Sequence, residues 1–272
     1  MMEKQITLPD DICRRYASIA KYRTLPKETF HTMRHRVTVA AFLLSALSLP
    51  AQSTLPNWTY YCFGFLNAHP GRTELPQEEA MAIQKGHLEH MGRMARQGKL
   101  LVAGPFLTAG GPRGVVIYNC ESVAEAEGYT KPDPAVVNKR LEMEFYRMHA
   151  VRGLGEPLAT RIKADPEYKY EMVQLPLLIL SKTDRLPAGE VPAELGAAHF
   201  ERSRKLMSEG RIRFFGRFEQ SHEKLGVYVF DKMTLEEAGR LMADDPLVKG
   251  GYANAQGLVW MVAGETLPQA GR

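Results

Sequence analysis

His87 and His90 stand three residues apart in a segment where Leu88, Met91, Met94 and Ala95 recur at helical spacing. Two imidazoles so placed share one face of a helix and could grip a metal ion together. The sequence offers no third ligand at suitable spacing, so no metal is expected. Arg211, Arg213 and Arg217 fall on a strand-like stretch and read as a solvated face, with Arg217 able to bind a substrate carboxylate if it enters a cavity. His69, His149 and His222 read as loop or surface residues. Gly110-Gly111-Pro112-Arg113-Gly114 joins two strand-like runs and opens no helix, which favours a hairpin over a phosphate cradle. No Walker loop, dinucleotide fingerprint, G-x-S-x-G elbow or H-E-x-x-H occurs, and no cofactor is implied.

These residues must be held by elements, and the elements repeat. Sliding the 272-residue chain by 112 positions without a gap lays His87 on His199, Gly98 on Gly210, Gly104 on Gly216, Gly114 on Gly226 and Asp133-Pro134 on Asp245-Pro246, with eleven identities in 48 positions. Two copies follow, 57–152 and 168–264, joined by a Gly- and Pro-bearing linker over 153–167. Each begins with an apolar run of strand length, Trp58 to Leu66 and Met172 to Leu180. Helices are expected over Pro76 to Gln97 and Val191 to Glu209, stopped by Gly98 and Gly210. Strands follow at Leu100 to Phe106 and Gly114 to Tyr118, and at Ile212 to Phe218 and Gly226 to Phe230. Ser122 and Thr234 start second helices, with Glu125 and Glu237 placed to complete capping boxes. Asp-Pro is read as the end of each of these helices, and Leu141 to Val151 and Gly257 to Val262 as final strands. The order is that of an α+β, ferredoxin-like βαββαβ unit whose uncovered sheet face needs a second sheet, which the tandem copy supplies.

The net charge of +4 belongs to the first 51 residues, which hold eight Lys and Arg against four acids; the remaining 27 bases and 27 acids cancel. A nucleic-acid partner is therefore not expected. Met33-Arg34-His35-Arg36 precedes the charge-free run Val37 to Leu49, which has the order of a secretory signal and rises only about 20 Å as a helix, too short to span a bilayer. The expectation is a leader over 1–52 containing a signal peptide at 33–51, translation from Met33, and a periplasmic or secreted protein with no membrane span in its mature form. The alternative is a cytoplasmic protein whose apolar run is a buried helix or docking arm. With Cys13 removed, Cys62 and Cys120 remain, either as one disulfide or as two buried thiols.

Gly86-His87-Leu88-Glu89-His90-Met91 with Gly98-Lys99-Leu100-Leu101-Val102-Ala103-Gly104-Pro105-Phe106, and Leu235-Glu236-Glu237-Ala238 with Asp244-Asp245-Pro246-Leu247-Val248-Lys249-Gly250-Gly251, resemble the motifs of YCII-related (YciI-like) domains. The resemblance spans both copies and implies a dimeric α+β barrel formed within one chain, with a cavity between helix and sheet. It also implies two His–Asp pairs, His87 with Asp133 and His199 with Asp245, and relatives that act on breakdown products of halogenated aromatics. A neutral imidazole oriented by a carboxylate is a competent general base. His90, Gly104, Pro105 and Arg217 are the candidate substrate-binding residues. The expected function is general acid–base chemistry on a small molecule. The alternative is a non-catalytic protein that uses the same cavity to hold a ligand or joins subunits as a homo-oligomer. The copies differ where Arg202 replaces His90 and Arg217 replaces Pro105, so two inequivalent cavities are expected.

Overall fold

A computed structural model describes residues 57–185, 191–219 and 223–268. The leader 1–52, its signal segment 33–51, Cys13 and His222 lie outside the described residues. In the first copy β1 (Trp58–Ala68) leads to α1 (Gln77–Arg96), β2 (Leu100–Pro105), β3 (Gly114–Tyr118), α2 (Val123–Thr130), α3 (Pro134–Val137) and β4 (Leu141–Val151). A helix, α4 (Glu156–Ala164), occupies the stretch between the copies. The second copy repeats the order with β5 (Met172–Lys182), α5 (Ala193–Ser208), β6 (Ile212–Phe218), β7 (Lys224–Phe230), α6 (Leu235–Ala243), α7 (Pro246–Lys249) and β8 (Ala253–Ala263). Among the described residues no helix is long and apolar enough to cross a membrane.

The two βαββαβ units share one antiparallel sheet in the order β2-β3-β1-β4-β6-β7-β5-β8. β4 joins the copies by pairing Met148 with Phe218, His149 with Arg217 and Ala150 with Gly216. The two ends of the sheet meet more loosely, where Phe106 bridges Trp260 and Leu107 donates its N–H to the Val259 carbonyl at 2.9 Å. The sheet thereby closes into the intramolecular α+β barrel expected of a tandem repeat.

Successive strand residues face opposite sides, so β1 and β5 are apolar on both. Phe63, Phe65, Leu177 and Ile179 enter a core shared with Met148, Phe214 and Trp260, while Cys62, Leu178 and Leu180 face the helices. Each such large side chain, fully buried, stabilises the fold by about 1.5–3 kcal/mol. The shared core therefore ties the copies together.

Three local expectations change. Asp133-Pro134 and Asp245-Pro246 open one-turn helices, with the Asp as N-cap and Pro at the first turn, where a missing N–H is harmless. Thr234 and Glu237 form a full capping box, whereas Ser122 accepts from the Glu125 N–H but the Glu125 carboxylate is taken by the Tyr129 hydroxyl. β8 begins at Ala253, four residues before Gly257, because β5 is long enough to pair Ile179 to Lys182 with Gln256 to Ala253. Cys62 and Cys120 are buried free thiols, and Cys62 Sγ donates to the Ser122 carbonyl at 3.1 Å.

Candidate functional site

The N-cap geometry explains how each Asp reaches its His. In copy two, Asp245 Oδ1 accepts from the Leu247 N–H at 3.0 Å while His199 Nδ1, on α5, lies 2.9 Å from both carboxylate oxygens. In copy one, Asp133 Oδ1 accepts from the Ala135 N–H at 2.8 Å and Oδ2 lies 2.8 Å from His87 Nδ1 on α1. One carboxylate thus starts a helical turn and orients an imidazole, fixing Nδ1–H toward the acid and leaving Nε2 for other partners.

Beyond that pair the copies differ. His199 Nε2 lies 2.7 Å from the Tyr228 hydroxyl, which lies 3.2 Å from Ser203 Oγ; Ser203 in turn reaches the His199 carbonyl at 2.8 Å. Burial raises the Tyr228 pKa, so the phenol keeps its proton at neutral pH. With His199 neutral, Tyr228 donates to Nε2 and Ser203 donates to Tyr228. With His199 protonated, Nε2–H donates to Tyr228, which donates to Ser203, which donates to the His199 carbonyl. Turning two O–H groups therefore accommodates either state of the imidazole with no heavy atom displaced. Copy one has Met91 and Val116 at the positions of Ser203 and Tyr228, and among the described residues the only side-chain hydrogen bond of His87 is to Asp133.

His199 also opens on a cavity of about 880 Å³. α5 contributes Phe200 beside it, β6 and β7 contribute Phe215 and Tyr228, and the first copy closes one side with Trp58 and His149. Trp58 touches Phe200 and Phe215 at ring separations of 5.5 and 5.1 Å, and Phe215 stacks on Tyr228. Lys182, Arg217 and Lys224 line the same space, and no carboxylate is among the described lining residues. Lys224 is held by Glu144 at 2.7 Å, and Arg217, largely exposed, lies 3.7 Å from Glu219. The side chain of His199 is 18% exposed, against 6% for His87.

The remaining candidates lie elsewhere. His90 is buried with both nitrogens occupied: Arg93 donates to Nδ1 at 3.1 Å, and Nε2–H donates to the Tyr129 carbonyl at 2.8 Å. In copy two, Arg202 donates to the matching carbonyl, that of Leu241, at 2.6 Å. The two residues perform the same tie with different chemistry, and both ring nitrogens of His90 are engaged within the protein. Gly104 and Pro105 sit at the β2–β8 closure, where the Gly104 carbonyl accepts from the Trp260 indole at 3.2 Å. Arg213 is mostly buried 3.9 Å from Asp231, so the arginine series is not a uniformly solvated face.

His149 corrects the expectation of a loop or surface residue: it lies within β4, half-buried, on the cavity wall. Ser203 and Tyr228 were also missed, although the alignment of the copies exposes both as polar replacements of Met91 and Val116. No spacing within one copy could have found Trp58 or His149.

Among solved structures, the chain resembles a mutant chlorite dismutase from Candidatus Nitrospira defluvii, at 11% identity and a TM-score of 0.48 over 77% of this chain and 92% of that one. It also resembles a heme-binding protein from Thermus thermophilus, at 14% identity and a TM-score of 0.44 over 76% and 92% of the two chains. No curated protein matches. The family profile of the YCII-related domain matches residues 64–143 and again 176–260, so the chain is a member of the YCII-related domain family carrying two copies of that domain.

Proposed function

We propose that the cavity of the second copy binds a small organic molecule and that His199, backed by Asp245, exchanges a proton with it. The observation that carries this reading is the chain Asp245–His199–Tyr228–Ser203 at the wall of a cavity, whose hydroxyls can turn to suit either state of the imidazole while the proton itself comes from or goes to the bound molecule. Tyr228 meets Nε2, so a proton enters or leaves the imidazole through that phenol or after a ligand displaces it. The His87–Asp133 pair, more closed and without hydroxyl partners, serves to dock α3 against α1.

The occupied Nε2 also supports a second reading, in which the same cavity holds a ligand without transforming it. Screening the purified protein against lactones and halogenated aromatic acids separates them. Turnover that disappears in His199→Ala and survives in His87→Ala supports proton transfer. Equal turnover in wild type and both variants ends it. Export belongs to the same proposal, on the strength of the basic and apolar order of 33–51; N-terminal sequencing of native protein checks it, and a cytoplasmic product beginning at Met1 or Met2 would sink it.

A further inference from the structure

His149 belongs to the first copy yet lies on the wall of the second copy's cavity. Its strand neighbours Met148 and Ala150 point into the shared core, so alternation sends the His149 ring to the helix side of the sheet, where α5 and the cavity lie. Tyr60 of β1 and Arg217 of β6 flank it in the ladder. The ring is gripped by Tyr60 and Trp58 at 4.8 and 5.3 Å. Unlike His199, whose two nitrogens are both engaged, His149 makes no side-chain hydrogen bond among the described residues.

We propose that His149 is a ligand-contacting residue of this cavity, presenting an unshared imidazole nitrogen to a flat molecule that lies against Trp58 and carries a hydroxyl or other hydrogen-bond donor. The inference rests on the cavity reading above and adds a second imidazole to it. Burial lowers the His149 pKa, as do Arg217 and Arg147, against the opposing pull of Glu219. Tyr60 on β1 stands beside it and Lys182, His199, Arg217, Lys224 and Tyr228 line the same cavity, and burial with the two arginines favours the neutral ring, in which one nitrogen accepts and the other donates. Met261 occupies the corresponding place on β8, so the device exists at one of the two junctions between the copies. The inequivalence of the copies therefore extends to a residue lent across the β4–β6 junction.

Carbethoxylation by diethyl pyrocarbonate at pH 7, mapped by mass spectrometry, reads free neutral imidazole directly. His149 is expected to react several-fold faster than His199 or His87, and 4-hydroxybenzoate is expected to protect it while leaving His69, outside the cavity, unprotected. In a parallel titration, 4-hydroxybenzoate alters Trp58 emission, and His149→Met weakens its apparent affinity roughly five-fold, as one lost hydrogen bond would. Reaction at His149 no faster than at His199, absence of protection, or unchanged affinity in His149→Met overturns the proposal. The His199→Ala turnover assay is independent of these readouts, so a result against His149 and a result against the proton chemistry are told apart.

Discussion

At the scale of residues, the same types serve different ends according to what surrounds them. Two His–Asp pairs have nearly identical geometry, yet only His199 continues through Tyr228 and Ser203 and borders the cavity. Asp133→Ala removes both the cap of the Ala135 N–H and the partner of a buried imidazole, and a loss of roughly 3 kcal/mol in stability is expected from breaking such a buried pair. Asp245→Asn keeps an oxygen for Leu247 and a similar shape; denaturant titration is expected to show it folded, with turnover reduced. His90 supplies the pH dependence: burial lowers its pKa, and the bond it accepts from Arg93 exists only for the neutral ring. The unfolded chain therefore binds more protons as pH falls below about 6.5, and stability is lost from there down through the folded pKa. His149 acts with the same sign. Thermal unfolding between pH 7 and pH 5 checks this, and His90→Gln should flatten the slope. The sequence displayed the four His and Asp residues through their repetition. It hid their inequality, because Tyr228 and Ser203 gain meaning only when β7 and α5 are packed face to face.

At the scale of elements, capping chemistry was readable and its consequences partly were not. Ser122 and Thr234 start their helices as expected, but Glu125 is diverted to Tyr129 while Glu237 closes the box. Ser122→Ala is expected to cost about 1 kcal/mol, the usual loss for one N-cap, and Thr234→Ala more, because the Thr234 hydroxyl both accepts from the Glu237 N–H and donates to the Glu237 carboxylate. Urea titration of the two variants orders them, and a larger loss at Ser122 would contradict the geometry. Asp-Pro was legible as a break and illegible as a start, since the residue before Pro is extended in both cases. What decides is the following turn, where Asp133 and Asp245 accept N–H groups that would otherwise lack partners.

At the scale of the whole molecule, the repeated pair Gly104 and Gly216 marks where one copy meets the other. A side chain at Gly104 would strike the Met261 backbone carbonyl, and one at Gly216 the Met148 side chain. Backbone yields less readily than a flexible thioether, so Gly104→Ala is expected to lower the Tm distinctly more than Gly216→Ala although the two positions are equivalent in the repeat. The barrel was legible because each copy alone leaves a sheet face uncovered. The composite cavity was not, because the pairing of His149 with Arg217 depends on a register between copies that no spacing within a copy encodes. The proposal that the second copy's cavity is the functional one is tested most directly by histidine side-chain NMR during titration with 4-hydroxybenzoate and with any compound the turnover screen identifies. Ring signals of His199 and His149 should shift while those of His87 and His90 stay in place; shifts at His87 and His90 with His199 unmoved would contradict it.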